Sequence, residues 1–152
     1  MMLLTHALFA LICSILAARM LNITDSIIFV AAAVILSILV DIDNIRSSVG
    51  QKLEPYARAL NFLFRHRGLL HSVWIPLALF LLLANLNMTI ALGIAVGYGS
   101  HLLIDAITIE GIMPFYPIKH KFRGFVRVGG ITEQLIVIAM FALMAALSTG
   151  QL

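Results

Sequence analysis

The sequence predicts an all-α fold: a polytopic transmembrane helix bundle of about five spans with a short interfacial helix, forming one membrane-embedded domain over residues 1–152. Three observations predict it. Hydrophobic residues make up 62% of the chain and charged residues only 11%, against roughly 45–50% and 25% in soluble domains, and the mean hydropathy is +1.07. The apolar residues fall into long stretches separated by turn-forming and charged segments. The basic residues, in turn, gather on alternate connections. A soluble globule of this composition would lack a polar coat, and a disordered chain or secreted disulfide scaffold fits no better. Cys13 is the single cysteine, so no internal disulfide forms. The pI near 9.4 accompanies a net charge of only +3. Nucleic acid is therefore not an expected partner, and the placement of the basic residues carries more information than their sum.

The first apolar stretch is Leu3–Leu21. No basic segment precedes the apolar run of Met1–Ala18, so it is expected to remain a helix rather than act as a cleaved signal peptide. The second, Ser26–Val40, ends flush against Asp41. It falls short of the roughly 17–20 residues a span requires and is expected either to borrow from Asn22–Asp25 or to sit in a locally thin place. The third, Leu69–Leu86, and the fourth, Met88–Ile109, are separated only by the Asn85–Asn87 region, which predicts a tight antiparallel hairpin. The fifth is Ile131–Leu147, with Thr132 as a candidate cap. Between the second and third, Tyr56, Leu60, Leu63 and Phe64 share one helical stripe, with Pro55 suited to the first turn. That segment reads as a short amphipathic helix at the membrane interface. Pro114, Pro117, Gly129 and Gly130 break the later connection.

Arg46, Lys52, Arg58, Arg65 and Arg67 lie on the Asp41–Gly68 connection, and Lys119, Lys121, Arg123 and Arg127 on Glu110–Gly130. The two short connections offer only Arg19 at their edge. By the positive-inside rule both long loops are cytoplasmic, which predicts a multi-pass protein of the inner or plasma membrane with its N-terminus in the cytoplasm. This arrangement also places His6, Asp41, Asp43, His66, His71, His101, Asp105 and Glu133 in one leaflet.

His101 and Asp105 are the most informative pair, because residues four apart project from one helical face. They are expected about 12 Å and 6 Å from the helix end, at 1.5 Å per residue. Ionisable groups at such depth cost several kcal/mol unless paired or hydrated, which marks them as functional candidates. A neutral histidine bonded to Asp105 inside the bundle is the competing reading. Gly93, Gly97 and Gly99 on the same helix favour close helix packing. In a helix Asp41 and Asp43 would point apart, so an unwound Asp41-Ile42-Asp43 is expected if both carboxylates serve one cation. A solvated helix stop signal is the alternative there. His66 and His71 suit a transition metal, while Arg65 and Arg67 beside them suit a phosphate ester or, on the plainer reading, anionic lipid head groups. His120 is expected to be merely exposed, and Trp74, Tyr56, Tyr98 and Tyr116 to be packing or interface anchors. The mixed set of His6, Asp41, Asp43, His66, His71, His101 and Asp105 fits a divalent metal, with zinc favoured and manganese or a two-metal site as alternatives.

At these positions the chain resembles the YdjM-like family of membrane-bound metal-dependent hydrolases. The likeness runs through Thr5-His6, Asp41-Ile42-Asp43, Ser48, Gly50, Arg65-His66-Arg67-Gly68 and His71-Ser72. It continues through Gly97-Tyr98-Gly99-Ser100-His101-Leu102-Leu103-Ile104-Asp105, Thr108, Gly111, Pro114, Lys121-Phe122-Arg123 and Glu133. It covers nearly the whole chain in order, and the Arg-His-Arg-Gly…His-Ser block is specific. Asn44 stands where the family often has His, and Val40 where it often has Pro. The resemblance implies a metal-dependent hydrolase. In that reading Asp43 or Glu133 is the general base, and Arg65, Arg67, Lys121 and Arg123 hold the anionic part of a lipid or other phosphoester at the cytoplasmic face. Two other classes compete: a protein that binds or transports a divalent cation without hydrolysis, and a lipid-binding scaffold whose His/Asp cluster is a hydrogen-bond network.

Overall fold

Among the described residues, five α-helices cross between two ends of the molecule: α1 (Leu3–Met20), α2 (Ser26–Leu39), α3 (Trp74–Leu83), α4 (Met88–Ala106) and α5 (Ile131–Ser148). The computed structural model describes residues 3–43 and 69–149, with 42 and 43 described by backbone alone. The amphipathic helix expected over residues 55–64 lies outside the described residues, as do Asn44, Ser48, Gly50, Arg65, His66 and Arg67.

The all-helical membrane bundle is as expected, and each expected stretch contains one α-helix. α1, α4 and α5 are long and apolar enough to cross a membrane. At 1.5 Å per residue each reaches about 27–28 Å, close to the roughly 30 Å hydrocarbon thickness. α2 is shorter, but a turn of 3-10 helix over Val40–Asp43 continues it directly. At about 2.0 Å per residue that turn brings the combined element to roughly 29 Å. No loan from Asn22–Asp25 is needed. The Asp-x-Asp segment is thus a tightened helical turn rather than an unwound stretch. α3 begins only at Trp74 because Pro76, which cannot donate a backbone hydrogen bond, is tolerated only in a first turn. The preceding Leu69–His71 forms its own 3-10 turn.

Local chemistry sets the turns. Asn22, at φ +50°, ends α1 in the left-handed region that Asn tolerates. Asn87 caps α4, its side chain accepting from the Ile90 N–H at 3.0 Å, which closes the α3–α4 hairpin. The cap of α5 differs from expectation. Gly130 occupies the cap position without a side-chain bond, and Thr132 lies inside the helix. Glu133 instead reaches back to accept from the Gly129 N–H at 2.7 Å, in the manner of the acidic residue in a capping box.

α2 and α4 run parallel and make the most extensive helix contact in the bundle. Their interface is a ladder with a rung every four residues: Phe29 with Gly93, Ala33 with Gly97, Ser37 with His101, and Asp41 with Asp105. A Cβ on Gly93 would lie 2.6 Å from the Phe29 carbonyl oxygen, and one on Gly97 would lie 2.6 Å from the Ala33 Cα. Both glycines are therefore needed for the approach, as small residues are at membrane helix contacts. Gly99 has nothing within 4 Å and plays no part in it. α1 packs across both helices and against α5, its Leu8 and Ile12 clustering with Ile104 of α4 and with Met140 and Leu147 of α5. Large side chains such as Ile27, Leu82, Leu103 and Ile138 stay exposed on the outer faces, where a lipid environment accepts them.

Candidate metal centre

The ladder ends in a buried polar cluster. α1 supplies His6 from its first turns, the 3-10 turn after α2 supplies Asp41, the turn before α3 supplies His71, and the last turns of α4 supply His101 and Asp105. His71 and His101 are fully buried, and Asp105 and His6 nearly so. α4 ends at Ala106 rather than Ile109. His101 and Asp105 thus lie about 7.5 Å and 1.5 Å from that end, shallower than the sequence implied.

The separations are uniform. His6 Nε2 lies 3.5 Å from Asp105 Oδ1 and 3.8 Å from Asp41 Oδ2. His71 Nε2 lies 3.8 Å from Asp41 Oδ1, 3.7 Å from Asp105 Oδ2 and 3.4 Å from His101 Nε2. His101 Nε2 is 3.8 Å from Asp105 Oδ2. One ligand atom from each of Asp41, His71, His101 and Asp105 falls within 4.8 Å of all the others. Tetrahedral coordination with metal–ligand bonds near 2.05 Å places ligand atoms about 3.3 Å apart. The observed separations lie at or slightly above that edge. They exceed the length of a good hydrogen bond, so direct pairing alone does not account for them.

Tautomer and orientation are set from behind. His101 Nδ1 sits 2.6 Å from the Ser37 carbonyl oxygen, to which it donates. Nε2 is then the ring's lone-pair atom and faces the cluster, as a metal-binding imidazole requires. The Ser37 hydroxyl donates to the His6 carbonyl at 3.3 Å, tying α1 to α2 at this level. Tyr98 donates its hydroxyl to the Leu70 carbonyl and Ser72 donates to Leu69 O at 2.6 Å, so both hold the turn that presents His71. Thr108 donates to the Asp105 carbonyl at 2.7 Å and accepts from Gly111 N–H at 3.0 Å, which secures the end of α4. Gly111 is left-handed at φ +60° with Phe122 O against it, a position closed to other residues.

Two observations test whether these residues fit a metal. His6 is 98% buried, yet neither of its ring nitrogens makes a hydrogen bond. A buried imidazole without a hydrogen bond is costly, and the nearest polar atoms are the two carboxylates. His71 and His101 also turn ring nitrogens toward one another across 3.4 Å with poor room for a strong hydrogen bond. Asp41, His71, His101 and Asp105, with His6 beside both carboxylates, form a donor set that could hold a metal ion.

Of the residues singled out from sequence, His6, Asp41, His71, His101 and Asp105 come together. Asp43 follows Asp41 in the same 3-10 turn, with its side chain outside the described atoms; His66, Arg65 and Arg67 are outside the described residues. Glu133 is fully buried near the cluster but outside it. Its Oε1 accepts from the Thr5 hydroxyl at 2.6 Å and its Oε2 from Gly129 N–H, joining α1 to α5 next to His6. Lys121 and Arg123 are exposed on the connection between α4 and α5. That connection is braced by Ile112 pairing with Phe122 and by Trp74 Nε1 donating to Tyr116 O at 3.0 Å. His120 is exposed as expected. Ser37 was missed, and Thr5 was named only beside His6 in the family likeness, without a role. Ser37 carried a signal, since it lies four residues before Asp41 on an otherwise apolar helix face.

Comparison with known proteins places this geometry in a family. The YdjM inner membrane protein family matches residues 1–151. The chain is 32% identical to inner membrane protein YdjM of Escherichia coli (strain K12), over 90% of this chain and 77% of that one. The Shigella flexneri protein of the same name matches to the same extent. YvsG of Bacillus subtilis (strain 168) is 26% identical over 74% of this chain and 73% of its own length. No solved structure matches the chain.

Proposed function

We propose that this chain, which belongs to the YdjM inner membrane protein family, is a membrane-embedded, metal-dependent hydrolase acting on a lipid or other phosphoester at the cytoplasmic membrane face. The observation that carries the reading is the burial of Asp41, His71, His101 and Asp105 with their ligand atoms within 4.8 Å of one another, and of His6 beside both carboxylates, at the end of the bundle where α1 begins and α4 ends. His6, Asp41, His71, His101 and Asp105 are the metal ligands in this reading, which favours zinc from the donor set with manganese as the alternative. Once bound, such an ion supplies Lewis acidity and activates water at neutral pH.

The chain's own residues supply the rest. Ser37 fixes the His101 tautomer through its carbonyl oxygen. Arg65, Arg67, Lys121 and Arg123 hold the anionic group of the substrate, with the bidentate geometry of arginine suited to phosphate oxygens. Glu133 has both oxygens engaged by Thr5 and Gly129, which suits it to positioning the first turn of α1. Asp43 is then the proposed general base. The basic residues on the Asp41–Gly68 and Glu110–Gly130 connections orient this end, and with it the N-terminus, toward the cytoplasm.

The test is release of phosphate or head group by the purified, metal-loaded chain from vesicles containing phospholipids or polyprenyl phosphates. Hydrolysis that is abolished by a chelator and by Asp105→Asn is expected. Metal flux into proteoliposomes without hydrolysis of any phosphoester would replace this reading with cation transport.

A further inference from the structure

The cluster contains more donors than one ion can use, and the donors are divided in a particular way. The His6 and His101 rings are stacked, with centroids 4.0 Å apart and planes only 13° from parallel. An imidazole binds metal through a lone pair lying in its own plane. Two nearly parallel planes at this spacing never meet near the rings, so one ion shared by both would sit roughly 2 Å out of each plane, about the length of a metal–nitrogen bond. That is unworkable. The His71 and His101 planes are inclined at 62° and can converge on one ion.

The carboxylates follow the same division. Each presents one oxygen to His6 and the other to His71: Asp41 through Oδ2 and Oδ1, Asp105 through Oδ1 and Oδ2, the latter also facing His101. His6 is buried and makes no hydrogen bond through either ring nitrogen, with Nε2 aimed at the carboxylates. Carboxylates that bridge, with terminal imidazoles on either side, are what a pair of ions about 3.5–4 Å apart requires, and 4.0 Å is the His6–His101 spacing.

The geometry points to a two-metal centre in which Asp41 and Asp105 bridge, His6 is the terminal ligand of one ion, and His71 and His101 are the terminal ligands of the other. This deepens the metal-dependent reading above and rests on it. Charge then narrows the substrate class. Two carboxylates neutralise one divalent ion, whereas two ions leave a buried positive surplus that an anion must meet, as a phosphate ester bridging the pair would.

The purified full-length chain in detergent, loaded with manganese alone, tests this by metal content per chain and by electron paramagnetic resonance. Two ions per chain are expected, with the spectrum of a spin-coupled pair. His6→Ala should halve the content and convert the spectrum to that of an isolated ion. One ion per chain with an uncoupled spectrum in the unmodified protein would overturn the two-metal centre and leave the single-ion reading standing. No bound metal would overturn both. The unmodified protein decides between these outcomes, so misfolding of His6→Ala would not blunt the test.

Discussion

Gly97→Ala probes the link between helix packing and the metal centre. The added methyl would lie 2.6 Å from both the carbonyl carbon and the Cα of Ala33, where ordinary contact begins at 3.4 Å. These are backbone atoms, and the Ala33 carbonyl oxygen is nearer still, so no side chain can move aside and α2 and α4 must separate by at least about 0.8 Å. The next rung of the ladder is the His101 Nδ1–Ser37 O hydrogen bond at 2.6 Å. Stretched by the same amount it reaches roughly 3.4 Å, beyond the usual range of 2.7–3.2 Å. Overpacking costs about 1–3 kcal/mol and the lost hydrogen bond about 0.5–1.5 kcal/mol. Improved helix propensity returns about 0.5–1 kcal/mol. A net destabilisation of about 1–3 kcal/mol follows from these terms. Metal affinity should fall about 10–100-fold, as it does when the group orienting a ligand is lost. Gly99→Ala is the control, since nothing lies within 4 Å of that site. Thermal unfolding in detergent and metal titration should separate the two variants. Equal stability and equal affinity for both would refute the ladder as the support of the site.

Other perturbations have distinct signatures. Glu133→Gln presents one donor where two donors now converge on its oxygens. It should cost about 1–3 kcal/mol in thermal unfolding while leaving metal stoichiometry unchanged. Ser37→Ala removes only the hydroxyl bond to the His6 carbonyl and keeps the Ser37 carbonyl that His101 uses. It should lose about 0.5–1.5 kcal/mol and retain metal. Chelation at neutral pH should lower the thermal midpoint, because a ligand that binds only the folded state stabilises it.

The helices were legible because each apolar stretch is bounded by a residue with a mechanical role. Asn87 caps α4, Asn22 tolerates the left-handed end of α1, and Asp41 follows α2. The His101/Asp105 pair was legible from its four-residue spacing on an apolar helix. Depth was harder to read, because apolar composition continues through Ile107 and Ile109 after the helix has ended at Ala106. The end of α4 is set instead by Thr108 bonding back to the Asp105 carbonyl and by the left-handed Gly111. Thr132 looked like a cap because of its residue type, yet Glu133 serves the adjoining N–H from inside the helix. Glu133 was singled out as the acid that opens the fifth span, with no sign in the sequence of what it touches. Its partner Thr5 is remote in the chain, so only the folded structure reveals the contact. The parallel rings of His6 and His101 are likewise set by how α1 crosses α4, which periodicity does not encode.

The central requirement is that the buried cluster holds a metal. Its most direct test is the metal content of the purified chain beside that of Asp105→Asn, with folding verified for both. A divalent metal bound in stoichiometric amount to the unmodified chain and lost from the variant is the expected result. Background metal in the unmodified chain, or the same content in Asp105→Asn, would contradict it.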